Sequence, residues 1–369
     1  MLPLASAFVG ALLVAAAHAA AAAPPTFEAE GEHYREHGYA VVRGFSELTE
    51  RLAMLQRMRK LVEEWHTSGA GEAGTFETGD DNHVDDDHFL GSADKVRFFL
   101  EPEAAAPGGA PIDRLNKVGH ALHVLDDVFR GYTGSAKVGA LAEAVGMVAP
   151  RAPQSMYVGA ARFSRRCNIS PAAPHPTRYN IKPPRVGGAV TPHQDSTFLH
   201  TTPYESCVGF WLALHDADEG NGCLWARPGS QHEPILKLFA RSADASAAGN
   251  ATMVFEPLVG PNAKVSGEWA DRAAALERGV SPRDLGFVPI PAKAGDLVVI
   301  SGAVDHMSLP NRSERARHTF QLHLVDGDDS VEWAPSNWLQ YPGGLALPSL
   351  RGLRELDGLR LGKIDVKEL

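Results

Sequence analysis

The sequence predicts a β-sandwich or barrel buttressed by helices on its N-terminal side. Apolar residues recur at helical spacing through the first 150 positions. Beyond residue 150 the chain breaks into short β-rich runs separated by Gly/Pro turns. A chain of 369 residues, 44% hydrophobic and 22% charged, is ordinary for a soluble globular protein and can bury one large core.

Taken in order, residues 28–37 predict a short helix and 39–45 a buried strand. Residues 49–66 predict a longer helix carrying Leu52, Met54, Leu55, Met58 and Leu61 at helical spacing. Residues 95–100 predict a strand, and 115–132 and 135–147 two further helices, which would put Lys117, His120 and His123 on one helix. Strands are expected over 154–158, 208–214, 223–226, 296–300 and 318–325. Helices first and many short strands after them give the expected architecture. Residues 159–180 lack periodicity and read as an insertion. Leucines at 350, 353, 356 and 359, interrupted by glycines, predict a frayed amphipathic tail over 351–369.

Composition excludes several classes. The formal net charge is -10 and no basic run appears, so a nucleic-acid-binding surface is not expected. Three cysteines without a C-x-x-C pair exclude a zinc ribbon or a disulfide scaffold. Any metal must therefore be held by histidines and carboxylates. Residues 1–23 are almost wholly apolar and small, with no Lys or Arg before Arg35. They predict a secretory leader, or an anchor if uncleaved, and not an Arg-rich transit peptide; the expected location is the secretory pathway or ER lumen, and the cytoplasm if the leader is not functional. A membrane partner is expected only if the leader stays attached.

Thr191-Pro192-His193-Gln194-Asp195 contains H-x-D. With 16 histidines and 45 acidic residues, chance supplies about two such matches, and His83-Val84-Asp85 is another. What raises the first is a partner segment: a hydrophobic run from Gly295 delivers His306 at its end, and Arg317 follows on a further strand. Oxygen activation by non-haem iron needs two imidazoles and one carboxylate on one face. On an extended segment the side chains at i and i+2 point the same way, so His193 and Asp195 can converge. A dicarboxylate co-substrate needs a rigid bidentate cation at its far end, which suits Arg317. The acidic stretch 79–88 reads as a solvated loop, and His120 with His123 as a satisfied pair.

His193-Gln194-Asp195, Gly209-Phe210-Trp211, Asn221-Gly222-Cys223-Leu224, Pro228-Gly229-Ser230-Gln231-His232, Gly295-Asp296-Leu297 and the series His306, Asn311-Arg312-Ser313, Arg317 resemble signatures of the phytanoyl-CoA dioxygenase family. The likeness runs from about residue 27 to about 350, which makes 27–350 the expected oxygenase domain. It implies a mainly β, double-stranded β-helix (jelly-roll, cupin-like) core. It implies Fe(II) held by His193, Asp195 and His306, with 2-oxoglutarate and O2 as co-substrates and ascorbate as a reductant. For 2-oxoglutarate it implies Arg317 and Ser308 at the distal carboxylate, with Lys117, Met156, Gln194 and Trp211 lining the pocket. Related halogenases lack the carboxylate that Asp195 supplies, so its presence favours hydroxylation of a small organic or lipid-like substrate, with release of succinate and CO2. Two other readings stand beside it: a non-catalytic jelly-roll protein that keeps the metal and 2-oxoglutarate pocket, and a cupin-like hydrolase built on a metal-bound water, which would not need Arg317.

Overall fold

The computed structural model describes residues 25–68, 73–75, 87–100, 115–160, 189–242, 253–258 and 272–358. The strands in chain order are β1 (Tyr39–Val42), β2 (Gly74–Thr75), β3 (Val96–Leu100), β4 (Leu115–His120), β5 (Pro150–Ala160), β6 (Val190–His193), β7 (Thr201–Thr202), β8 (Val208–Ala213), β9 (Leu224–Ala226), β10 (Lys237–Arg241), β11 (Met253–Pro257), β12 (Val288–Ile290), β13 (Leu297–Ser301), β14 (His306–Ser308), β15 (Arg317–Asp326) and β16 (Glu332–Trp333). The helices are α1 (Glu28–His37), α2 (Leu48–Ser68), α3 (Asp87–Leu90), α4 (Leu122–Leu125), α5 (Asp127–Thr133), α6 (Ala136–Ala144) and α7 (Leu350–Gly358).

One sheet runs β1-β13-β8-β15-β5-β4-β3-β2, and a facing sheet runs β12-β9-β14-β6. From β5 onward the chain crosses repeatedly between them: β5 in the first, β6 in the second, β8 back, β9 and β12 across, then β13, β14 and β15 in alternation. This winding is the double-stranded β-helix.

Period-2 alternation explains why the strands are apolar on both faces. Leu297, Val299, Phe210, Leu212, Phe320 and Leu322 join Met54, Met58, Val62, Phe129, Leu141 and Leu353 in the principal core, where the helices cover the large sheet. Val298, Ile300, Trp211 and Ala213 take the opposite face and pack with Leu224 and Ile290 between the sheets. Each such fully buried side chain stabilises the fold by about 1.5–3 kcal/mol. Asp126 caps α5, accepting from the Val128 and Phe129 amides, and takes Arg57 Nε at 2.6 Å, which ties α5 to α2.

The strands expected over 95–100, 208–214, 223–226, 296–300 and 318–325 form within a residue or two of those bounds, and that over 154–158 lies inside the longer β5. The expected helix over 115–132 does not. Residues Leu115–His120 are β4, paired with β3 and β5, and helix begins only at Leu122. Leu115 and Val118 stand at helical spacing, but the two flanking strands supply the backbone partners that decide, with an irregularity in the β3 register at Leu115. Lys117 therefore sits on a strand. Residues 350–358 form α7, whose Leu350 and Leu353 are buried in the principal core. Beyond Ala160, the expected insertion lies outside the described residues, as do the leader and most of the acidic stretch 79–88. Among the described residues no helix is long and apolar enough to cross a membrane.

Candidate active site

β6 and β14 run antiparallel, and their register sets His193 directly opposite His306. Gln194 is still extended (φ -111, ψ 130), and Asp195 opens a 3-10 turn rather than continuing the strand. The i, i+2 relation thus survives by one residue, and both side chains emerge on the same side. Two bonds lock this turn to the loop that delivers His306: Ser196 N donates to Gly302 O at 3.0 Å, and Gln194 Nε2 to Ala303 O at 2.8 Å. On the far side, Asp305 accepts from Arg227 Nε at 3.3 Å and forms an ion pair with Arg272, whose Nε lies 3.0 Å away, while its amide donates to Ser230 Oγ. This anchors the residue just before His306.

His193, Asp195 and His306 offer ligand atoms that all lie within 4.8 Å of one another, the one such cluster of three found among the described residues. His193 Nδ1 donates to Thr191 O at 2.8 Å, and His306 Nδ1 to Val304 O at 3.0 Å. Each imidazole uses Nδ1 on its own backbone two residues back, which leaves Nε2 as the free lone pair. Those Nε2 atoms stand 3.4 and 3.6 Å from Asp195 Oδ1. Two imidazole nitrogens and one carboxylate oxygen, converging and pre-oriented, fit a divalent first-row metal with positions left open.

The electrostatics agree. Burial works against the Asp195 carboxylate, but His306, His323 and His193 around it hold its pKa well below the usual range. Burial, and then His193 beside it, push His306 down to about 4, whereas Asp195 and the Thr191 carbonyl raise His193 against its own burial, so a metal here competes with a proton at His193 and not at His306.

Along β15, residues 317, 319, 321 and 323 share one face. His323 points to Asp195 (Nε2 to Oδ2, 3.2 Å), which identifies that face as the interior. Register then lays out rows from the metal ligands outward. Gly209, His323 and Gln154 are opposite one another, Trp211, Gln321 and Met156 form the next row, and Ala213, Thr319 and Val158 the one after, with Arg317 beyond. Lys117 and Gly119 extend the last two rows onto β4. Arg317 is buried, lies over the Trp211 ring at 5.8 Å, and donates Nη1 to Gly222 O at 2.6 Å. Gly222 is at φ 85, and an added Cβ would meet Leu309 O at 2.7 Å, so only glycine fits this turn. Ser308 is buried on β14, two residues past His306 and on its face.

The structure brings part of the sequence-derived set together. The three metal-ligand candidates converge, and Met156, Trp211 and Arg317 occupy one face of the large sheet. Gln194 spends its amide nitrogen on Ala303 O, while its buried Oε1 has no protein partner. Lys117 is buried, with Nζ over the Phe89 and Phe99 rings at 4.8 and 5.1 Å. Those rings belong to an aromatic wall that includes Trp338, stacked on Phe89 at 4.3 Å, and His120, edge-on to it at 5.1 Å. Phe239 and Met253 complete that cluster, and Phe198 links it to His193 at 6.2 Å. Sequence reading missed His323, Gln154 and Asp305. Period-2 counting from Arg317 would have put His323 on the same face.

A profile of the family described as "Phytanoyl-CoA dioxygenase (PhyH)" matches residues 34–319. The chain belongs to the phytanoyl-CoA dioxygenase family. Among curated members, phytanoyl-CoA dioxygenase domain-containing protein 1 of Mus musculus is 34% identical over 325 residues, covering 86% of this chain and 96% of the relative. Phytanoyl-CoA dioxygenase 1 of Oryza sativa subsp. japonica is 35% identical over 324 residues, with the same coverage. Among solved structures, the epimerase SnoN in complex with Fe3+, alpha ketoglutarate and nogalamycin RO superposes with a TM-score of 0.52 at 16% identity, covering 88% of this chain and 98% of that one. EctD from S. alaskensis with 2-oxoglutarate and 5-hydroxyectoine gives 0.50 at 14% identity, covering 89% and 87%. These likenesses are likenesses of fold.

Proposed function

We propose that the protein is an Fe(II)- and 2-oxoglutarate-dependent dioxygenase that hydroxylates a small organic substrate with an apolar body. The observation that carries this reading is the pair of outward-facing Nε2 atoms converging with Asp195 Oδ1, on the same interior surface as a buried arginine. Fe(II) held by His193, Asp195 and His306 supplies, with 2-oxoglutarate and O2, the oxidising chemistry that releases succinate and CO2 and hydroxylates a C–H bond.

The chain's own residues bind and orient. Arg317 presents a planar guanidinium, braced by Gly222 O and the Trp211 ring, as the partner for the distal carboxylate. Ser308 and Lys117 are the further polar contacts carried over from the family pattern, and Met156 and Trp211 the apolar walls. The ring series from Phe198 to Phe89 excludes water on the side facing His193 and suits an apolar substrate body.

Substituting Arg317 tests the reading against a hydrolase of the same fold. Arg317→Ala should weaken 2-oxoglutarate binding by about 100-fold in calorimetric titration of the Fe(II)-loaded, anaerobic protein, and Arg317→Lys should recover only part of it. Wild-type affinity in Arg317→Ala would favour the hydrolase.

A further inference from the structure

The two oxygens of Asp195 are used differently. Oδ1 faces both imidazoles, at 3.4 and 3.6 Å from their Nε2 atoms, whereas Oδ2 meets His323 Nε2 at 3.2 Å. The other ring nitrogen of His323, Nδ1, lies 3.2 Å from Gln154 Nε2. An amide nitrogen only donates, so Nδ1 accepts, the proton of a neutral His323 is on Nε2, and it is donated to Oδ2. His323 and Gln154 are both buried and are paired in register across β15 and β5. On the other flank His323 pairs with Gly209. A Cβ on Gly209 would stand 3.3 Å from Asp195 Oδ2 and 3.0 Å from Ile300 Cγ2, so glycine leaves the slot in which carboxylate and imidazole meet.

Building on the metal-site reading above, we propose that His323 is a positioning residue. Clamped by Gln154, it holds Oδ2 of Asp195 away from the metal, so that the carboxylate offers one oxygen and not two. The reason is steric and electronic. A carboxylate attached by a single Cβ rotates freely about its terminal torsion and binds hard cations through one or both oxygens. A hydrogen bond that engages Oδ2 from behind removes that choice and keeps a coordination position available for co-substrate. Outer contacts of this kind orient metal ligands generally. Gln154 acts one step further out, by fixing which His323 nitrogen carries the proton.

The test uses Co(II), whose visible d–d bands report coordination number, added anaerobically to the full chain. Wild type, His323→Leu, His323→Gln, Gln154→Leu and Asp195→Ala are compared by calorimetric affinity and by spectrum, with metal-free melting temperatures as the folding control. His323→Leu should lose about 10–100-fold in Co(II) affinity and shift its d–d bands. His323→Gln, whose amide can still donate to Oδ2, should restore the wild-type spectrum and most of the affinity. Gln154→Leu should fall between them, and it decides the matter if His323→Leu does not fold. Wild-type affinity and bands in His323→Leu, or in Gln154→Leu where that decides, would overturn the positioning role and leave the metal site standing. Wild-type protein that binds Co(II) no better than Asp195→Ala would overturn both.

Discussion

His123 shows how one buried side chain ties stability to pH. Its Nδ1 lies 2.9 Å from Ser155 Oγ and its Nε2 2.9 Å from Ala152 O. Burial pushes its pKa from 6.5 down to about 4, against the opposing effect of the Ala152 carbonyl. The unfolded chain therefore binds a proton between pH 6.5 and 4 that the folded chain refuses, so stability is complete above pH 6.5 and lost as the pH falls towards 4. The share of this one group reaches roughly 3 kcal/mol at the acid end. Chemical denaturation of the metal-free protein at pH 7.5 and pH 5 should show that fall, and His123→Asn should flatten it; an equal pH slope in the variant would count against the assignment. Gly222 makes the second residue-scale prediction. Gly222→Ala forces a Cβ onto Leu309 O at a positive-φ position whose own carbonyl accepts from Arg317. It should cost about 1–3 kcal/mol of stability and weaken 2-oxoglutarate binding, whereas a surface turn would lose stability alone.

At the scale of elements, α7 belongs to the body of the fold. Leu353 is 1% exposed, Arg354 Nε donates to Gly134 O at 2.8 Å, and a Cβ on Gly134 would meet Arg354 N at 2.8 Å, so the helix backbone rests directly on the end of α5. Leu353→Ala should destabilise by about 2–5 kcal/mol in urea titration; a frayed tail would give less than 0.5 kcal/mol. The leucine spacing was legible in the sequence, but the surface it covers was not, because that surface is assembled from α5 and its C-terminal glycine some 220 residues away. The same limit explains β4. Its only large apolar residues, Leu115 and Val118, stand three apart and so carry helical spacing, and its identity is settled by β3 and β5 on either side. By contrast β8, β13 and β15 were legible because β-branched and aromatic runs bounded by Gly or Pro have few other solutions.

For the whole molecule, the winding of eight strands between two sheets brings residues 193 and 306 into register and sets Arg317 on the same interior face. The candidate triad was legible because H-x-D and a strand-terminal histidine have a chemical reason to occur together. His323 was not, since nothing in the sequence says which strand passes behind Asp195. The reading as an oxygenase rests on this assembly, and one measurement addresses it most directly: succinate formed from 2-oxoglutarate under air with Fe(II) and ascorbate, without added substrate, by the wild-type chain and by Asp195→Ala. Slow succinate release by the wild type and none by Asp195→Ala is the predicted result. No succinate from the wild type, together with no 2-oxoglutarate-dependent absorbance from the anaerobic Fe(II) protein, would contradict it and favour a binding protein that has kept the pocket.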